Sequence, residues 1–173
     1  ESALNKLDGH GFLVQRVAAF ENHESIVEAH KQLLAYDVAK EHAALFEQYG
    51  SLYRPTLAMV IQRGREVSEA EATSAAEAQP RVAKDLHDRL IGADCQVWAT
   101  PAATCEAPLG YSNTGSSAMQ VPWTFAGMPA ITVPAGLGPA GMPLGLQLIA
   151  PRGQDEQLFA WAGQVASMLD NIS

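Results

Sequence analysis

Two short apolar stretches near the end of the chain, each fenced by Gly and Pro, most constrain what it can fold into. The first is Ala130-Ile131-Thr132-Val133, held between Pro129 and Pro134 with Gly127 and Gly136 just outside; the second runs from Pro143 through Leu144-Gly145-Leu146-Gln147-Leu148-Ile149-Ala150 to Pro151. Pro ends hydrogen-bonded ladders and Gly permits backbone conformations closed to other residues. Such segments read as buried strands whose ends are shaped to present loops, and loops are where sites usually lie. The segments 129–134 and 144–149 are therefore predicted strands, together with 96–100, which ends at Pro101, and 12–17, which follows Gly9 and Gly11. One sheet of these four strands is expected.

Helical signals fill much of the rest. Asn22 caps a predicted helix from about Glu24 to Gln48, with Ile26, Val27, Leu33, Leu34, Val38, Ala44 and Leu45 as its apolar stripe. Pro55 opens a short helix over Thr56 to Arg63 that Gly64 is expected to stop. Ser68 and Glu71 make a capping box for a helix to about Leu90, kinked or broken near Pro80, where the ladder lacks a donor. Gln154 to Asp170 closes the chain as an amphipathic helix. Helices followed by strands and a closing helix describe an α/β layer arrangement. Residues 102–126 form a long irregular stretch, which a compact domain rarely keeps without a functional reason.

Composition narrows the function classes. With 173 residues and 47% hydrophobic content, the chain can build a real core. Eleven basic residues against 19 acidic ones, a net charge of −8, argue against nucleic acid or an anionic membrane surface as the main partner. No apolar run approaches the ~20 residues of a spanning helix. No signal peptide is visible, although a first residue of Glu1 rather than Met gives that observation little weight. Cys95 and Cys105 are too few for a disulfide framework, and the five histidines form no short ligand pair, so neither a metal nor any other cofactor is expected. Asn113-Thr114-Gly115-Ser116-Ser117-Ala118-Met119 looks like a nucleophile turn, but no base or second glycine pair accompanies it. A hydroxyl-rich surface loop is the plainer reading. Trp123 and Phe125 are balanced between loop anchors and ligand platforms, and Asp94 is expected to tie the approach to a strand.

Taken together, the segments "DCQVWATPAA", "APLG", "WTFAGMPAITVPAG" and "GMPLGLQLIAP" resemble the carboxy-terminal part of the amidase signature family. Asp94, Thr100-Pro101, Ala107-Pro108, Thr114-Gly115, Gly127, Pro129-Ala130, Pro134, Gly136, Pro143, Gly145 and Gln147 match the family pattern position by position. The resemblance is dense over 90–170 and looser over 1–89. It implies a mixed β-sheet covered by α-helices, with 1–173 forming the carboxy-terminal part of a single amidase domain: 1–90 mostly helical, 91–173 carrying strands, cleft loop and terminal helix. It also implies attack on a carboxamide carbonyl, release of ammonia or an amine, and hydrolysis of the acyl-enzyme. The family's Lys–Ser–Ser triad would lie outside this chain, which then contributes no catalytic residue. Thr114, Gly115, Trp123, Phe125 and Gly127 are the substrate-cleft candidates, with Gly127 and Pro129 turning Trp123 and Phe125 toward the substrate side. Implied partners are the amino-terminal portion of the same amidase and a small amide substrate, in a cytoplasmic protein. An unpaired sheet edge predicts association, as a homo-oligomer or with the rest of the polypeptide. A non-catalytic subunit or remnant packed against a partner chain is the other reading. Amides in this family range from aliphatic ones to misacylated tRNA, and the acidic composition fits the latter less naturally.

Overall fold

The computed structural model describes residues 1–171. Two compact units emerge, one formed by Asn22–Arg81 and the other by Glu1–Glu21 with the chain from Val82 onward.

The first unit is helical. Helix α2 (His23–Glu41) starts where the Asn22 side chain accepts a hydrogen bond from Ser25 N–H at 3.0 Å, and it ends at His42, where α3 (Ala43–Tyr49) begins. The single long helix expected here is thus two. The His42 backbone leaves helical geometry at φ −92° and ψ 1°, and its Nδ1 lies 2.9 Å from Tyr53 Oη. A short 3₁₀ turn, Gly50–Leu52, leads to α4 (Pro55–Glu66), which starts at its proline as expected. Gly64 does not stop α4. It lies inside the helix and faces α2, where a Cβ would fall 2.7 Å from Ala39 Cβ and overlap the Ala35 carbonyl oxygen. A glycine read from sequence as a terminator serves instead to bring two helix backbones together. The capping box before α5 (Glu69–Gly92) forms: Ser68 N–H donates to Glu71 Oε2 at 2.8 Å, and Glu71 N–H donates to Ser68 Oγ at 3.2 Å. Helix α5 runs through Pro80 unbroken.

The second unit carries the sheet. Its first helix, α1 (Ser2–Leu7), had no counterpart in the sequence reading. Three strands, β1 (Trp98–Pro101), β2 (Ala130–Leu137) and β3 (Pro143–Ile149), form an antiparallel sheet of order β1-β3-β2. Among the described residues the fourth expected strand does not form: around Phe12–Val17 the only pairing is an isolated bridge between Asp8 and Phe12. An apolar run becomes a strand only beside a partner, and none of the three strands pairs with this one.

The central strand β3 decides where everything else goes. Its side chains alternate between faces. Leu146 and Leu148 point, with Val133, into a core closed by Leu158, Ala162, Val165 and Leu169 of α7 (Asp155–Asn171) and by Ala3 and Leu7 of α1. Ile149 points the other way, joining Trp98, Trp123, Met128 and the end of α5 at Leu86 and Leu90. Asp94, at φ 52°, adopts the left-handed conformation that ends α5 and turns the chain toward β1.

Candidate functional site

The second face of β3 changes character along its length. After Ile149 comes Gln147, 3% exposed, whose Nε2 donates to Met119 O at 3.3 Å and lies 3.5 Å from Thr100 Oγ1. Two residues further stands Gly145, where a Cβ would come within 3.0 Å of Ala102 Cβ and overlap the Thr132 methyl group. The face thus passes from apolar core, through a buried amide, to a position with no side chain. Beside it lies a groove of about 470 Å³ lined by Ala102–Pro108 and Thr114–Ser116 on the loop side and by Thr132–Pro134 and Pro143–Gly145 on the sheet side.

The loop is tied at both ends. Ala102 N–H donates to Gly145 O at 2.9 Å, and the Gln120 side-chain amide donates to Ala102 O. In between, Glu106 reaches the β2–β3 turn: its Oε1 accepts from Ala140 N–H and Met142 N–H, each at 3.1 Å, and its Oε2 also lies 3.1 Å from Ala140 N. Thr114 and Gly115 stand in the groove wall. Gly115 adopts φ +89°, a left-handed turn stabilised by Asn113 Oδ1 accepting from its N–H at 2.6 Å. Ser116 Oγ accepts from Ala118 N–H at 3.2 Å, a local turn contact.

Trp123 and Phe125 do not share the groove with them. Both lie on α6 (Val121–Phe125), at 2% and 1% exposure. The Trp123 ring centre is 5.0 Å from Phe20 and 6.0 Å from Trp98. Within this chain they are buried anchors. Gly127 itself, at φ +63°, sits under Arg152, whose Nε would be 2.9 Å from a Cβ there. A larger recess of about 930 Å³ lies elsewhere, between His87, Ile91 and Cys95 and the start of α7, and no candidate residue lines it.

Charge sets the groove's chemistry. From Leu90 to Pro151 the sequence has no Lys, Arg or His, and its only carboxylates are Asp94 and Glu106. The groove lining therefore offers hydroxyls, the free thiol of Cys105, backbone groups and small apolar surfaces, with its single carboxylate already occupied. Among the described residues no cluster could hold a metal ion, and no helix is long and apolar enough to cross a membrane. Glu106 escaped the sequence reading, since its partners lie 34 and 36 residues away. The one available hint was a lone acidic residue in an otherwise uncharged stretch.

The sequence model of the Amidase family matches residues 1–159. The chain belongs to the Amidase family. Among solved structures, an amidase superposes over 95% of this chain and 39% of its own, at a TM-score of 0.83 and 21% identity. The 6-aminohexanoate cyclic dimer hydrolase does so over 98% of this chain and 39% of its own, at a TM-score of 0.72 and 20% identity. These likenesses establish the amidase-signature fold. In sequence, the A subunit of the mitochondrial glutamyl-tRNA(Gln) amidotransferase from Schizosaccharomyces pombe is 41% identical over 61 residues, 35% of this chain and 13% of that protein. The corresponding protein of Methylocella silvestris is 34% identical over 99 residues, 52% of this chain and 20% of that protein. The chain thus covers a fifth or less of these curated relatives.

Proposed function

We propose that residues 1–173 are the carboxy-terminal part of a single amidase domain, and that the complete protein hydrolyses the C–N bond of a small, uncharged carboxamide. The observation that carries the substrate class is the groove beside β3, built on family-matched positions and without a cation in its lining. An anionic substrate group would lose its hydration there and gain no counter-charge. In the proposed reaction a serine outside this chain attacks the amide carbonyl carbon. The amine leaves with a proton, and water then cleaves the ester to free the acid and restore the hydroxyl. Thr114 and Gly115 form part of the cleft wall, Gly127 sets the turn, and Trp123 and Phe125 support that wall from the core. The rest of the domain pairs with the sheet edge, or a second copy covers it, and the two free cysteines fit a reducing cytoplasm.

The test is to assay the complete protein and the 173-residue chain against a panel of small neutral amides, dicarboxylic acid monoamides and glutamyl-tRNA(Gln) with glutamine as amine donor. Turnover of neutral amides by the complete protein alone is the expected result. Activity only with the tRNA would transfer the relatives' role to this protein and sink the neutral-amide reading. Activity in the short chain, abolished by Ser117→Ala, would show that residues 113–119 hold a nucleophile after all.

A further inference from the structure

Residues 103–118 of the cleft loop carry the wall that includes Thr114 and Gly115, yet they make few ties to the rest of the unit. Among the described residues, Glu106 makes the only long-range hydrogen bonds of this segment. Just beyond it, Leu109 and Tyr111 are fully exposed. We propose that Glu106 is a positioning residue that sets the width of the groove by clasping the β2–β3 turn to the cleft loop. Its catalytic consequence rests on the amidase reading; the clasp itself does not.

The turn is shaped to receive a carboxylate. Gly138 N–H donates to Met142 O and Gly141 N–H to Gly138 O, each at 2.9 Å, so those two amides are satisfied within the turn. Gly141 adopts φ +78°, and the two remaining amides, Ala140 and Met142, converge on Glu106 Oε1. Gly138 leaves room for the approach: a Cβ there would stand 2.6 Å from Glu106 Cγ. Hydrogen bonds to an ionised acceptor are roughly twice as strong as those between neutral groups. The clasp also bridges the two sides of the groove, since Glu106 belongs to the loop wall while the turn leads directly into Pro143-Leu144-Gly145 on the sheet wall. Releasing it frees the loop between Ala102 and Met119 and changes the space offered to substrate without touching the reacting atoms.

The experiment compares Glu106→Ala and Glu106→Gln with the unaltered complete protein, by amide hydrogen exchange and by steady-state kinetics on a neutral amide. Glu106→Ala should speed exchange at Ala140 and Met142 and raise KM about tenfold, with kcat changed less than about threefold. Glu106→Gln keeps one oxygen for both amides and should restore most of each effect. Unchanged exchange in Glu106→Ala overturns the clasp. Faster exchange with KM unchanged, or with the loss confined to kcat, overturns its role in shaping the groove. If the unaltered protein turns over no amide, the proposed function fails, and the exchange data alone decide the clasp.

Discussion

The helical unit, Asn22–Arg81, and the sheet with its cleft loop, 93–151, solve the same packing problem in opposite ways. The helices keep their charge outside. Glu28 pairs with Arg63 at 2.7 Å and Glu77 approaches Arg81 at 4.0 Å, all four exposed, while Ala35, Ala39, Ala72, Ala75 and Ile61 fill the interior. Their closeness depends on having almost no side chain where α2 meets α4. The sheet region nearly dispenses with charge, buries large residues such as Trp98, Trp123 and Phe125, and uses the missing side chain at Gly145 to seat the Thr132 methyl group and Ala102 against β3. Glycine admits a helix backbone in one unit and neighbouring side chains in the other. What a glycine does is decided by the surface opposite it.

The largest expected effect tests the sheet side. Trp123→Ala should destabilise the protein by about 3–5 kcal/mol, because a nearly fully buried indole packed at a tilt against both Phe20 and Trp98 leaves a large cavity. Urea unfolding of the protein measures it. A loss below about 1 kcal/mol would mean the side chain is an exposed platform, as one half of the sequence reading had it.

On the helical side, Gly64→Ala should cost up to about 3 kcal/mol, since the added methyl group meets the Ala35 backbone oxygen, which cannot move without shifting α2. The matched control is Gly163 in α7, where a Cβ meets nothing within 4 Å. Gly163→Ala should stabilise by about 0.5–1 kcal/mol through helix propensity alone. Equal effects from the two substitutions would defeat the idea that the facing surface decides.

This contrast also explains what could be read in advance. Signals that act within a few residues were legible: the Asn22 cap, Pro55 at a helix start, the Ser68–Glu71 box, and the prolines bounding β1 and β3. Pro134 and Gly136, expected to close β2, lie inside it instead: the strand runs on past a register shift to Leu137, where it pairs with Pro143. Features fixed by distant chain were not. Gly64 read as a stop because Ala35 and Ala39 were unseen, and Phe12–Val17 read as a strand because an apolar run looks the same with or without a partner. The family pattern marked Thr114 and Gly115, now in the groove wall, and it also marked Gly145, which lines the sheet side of the groove, and Gln147, the buried amide two residues further along the same face. Glu106 stands outside that pattern, and only the folded turn at 138–142 reveals its partners.

The smallest expected effect concerns the local contact that was easiest to read. The Ser68 hydroxyl, and after it the Ser68 backbone N–H, hold the Glu71 carboxyl below its ordinary value. A carboxylate depressed in the folded state contributes stability that is complete above the unfolded glutamate value, about 4.3, and disappears as pH falls from there through the lower folded value. Removing the cap by Ser68→Ala should cost about 1 kcal/mol at neutral pH. Glu71→Gln should flatten the acid limb of the stability profile below about pH 5 while leaving the neutral plateau nearly in place, since a glutamine oxygen can still accept from Ser68. Hydrogen exchange across Glu69–Arg81, followed from pH 7 toward 4 in each variant, reads the effect where it arises. An acid limb unchanged by Glu71→Gln would assign the acid sensitivity of this helix to another carboxylate and remove the capping box from the pH response.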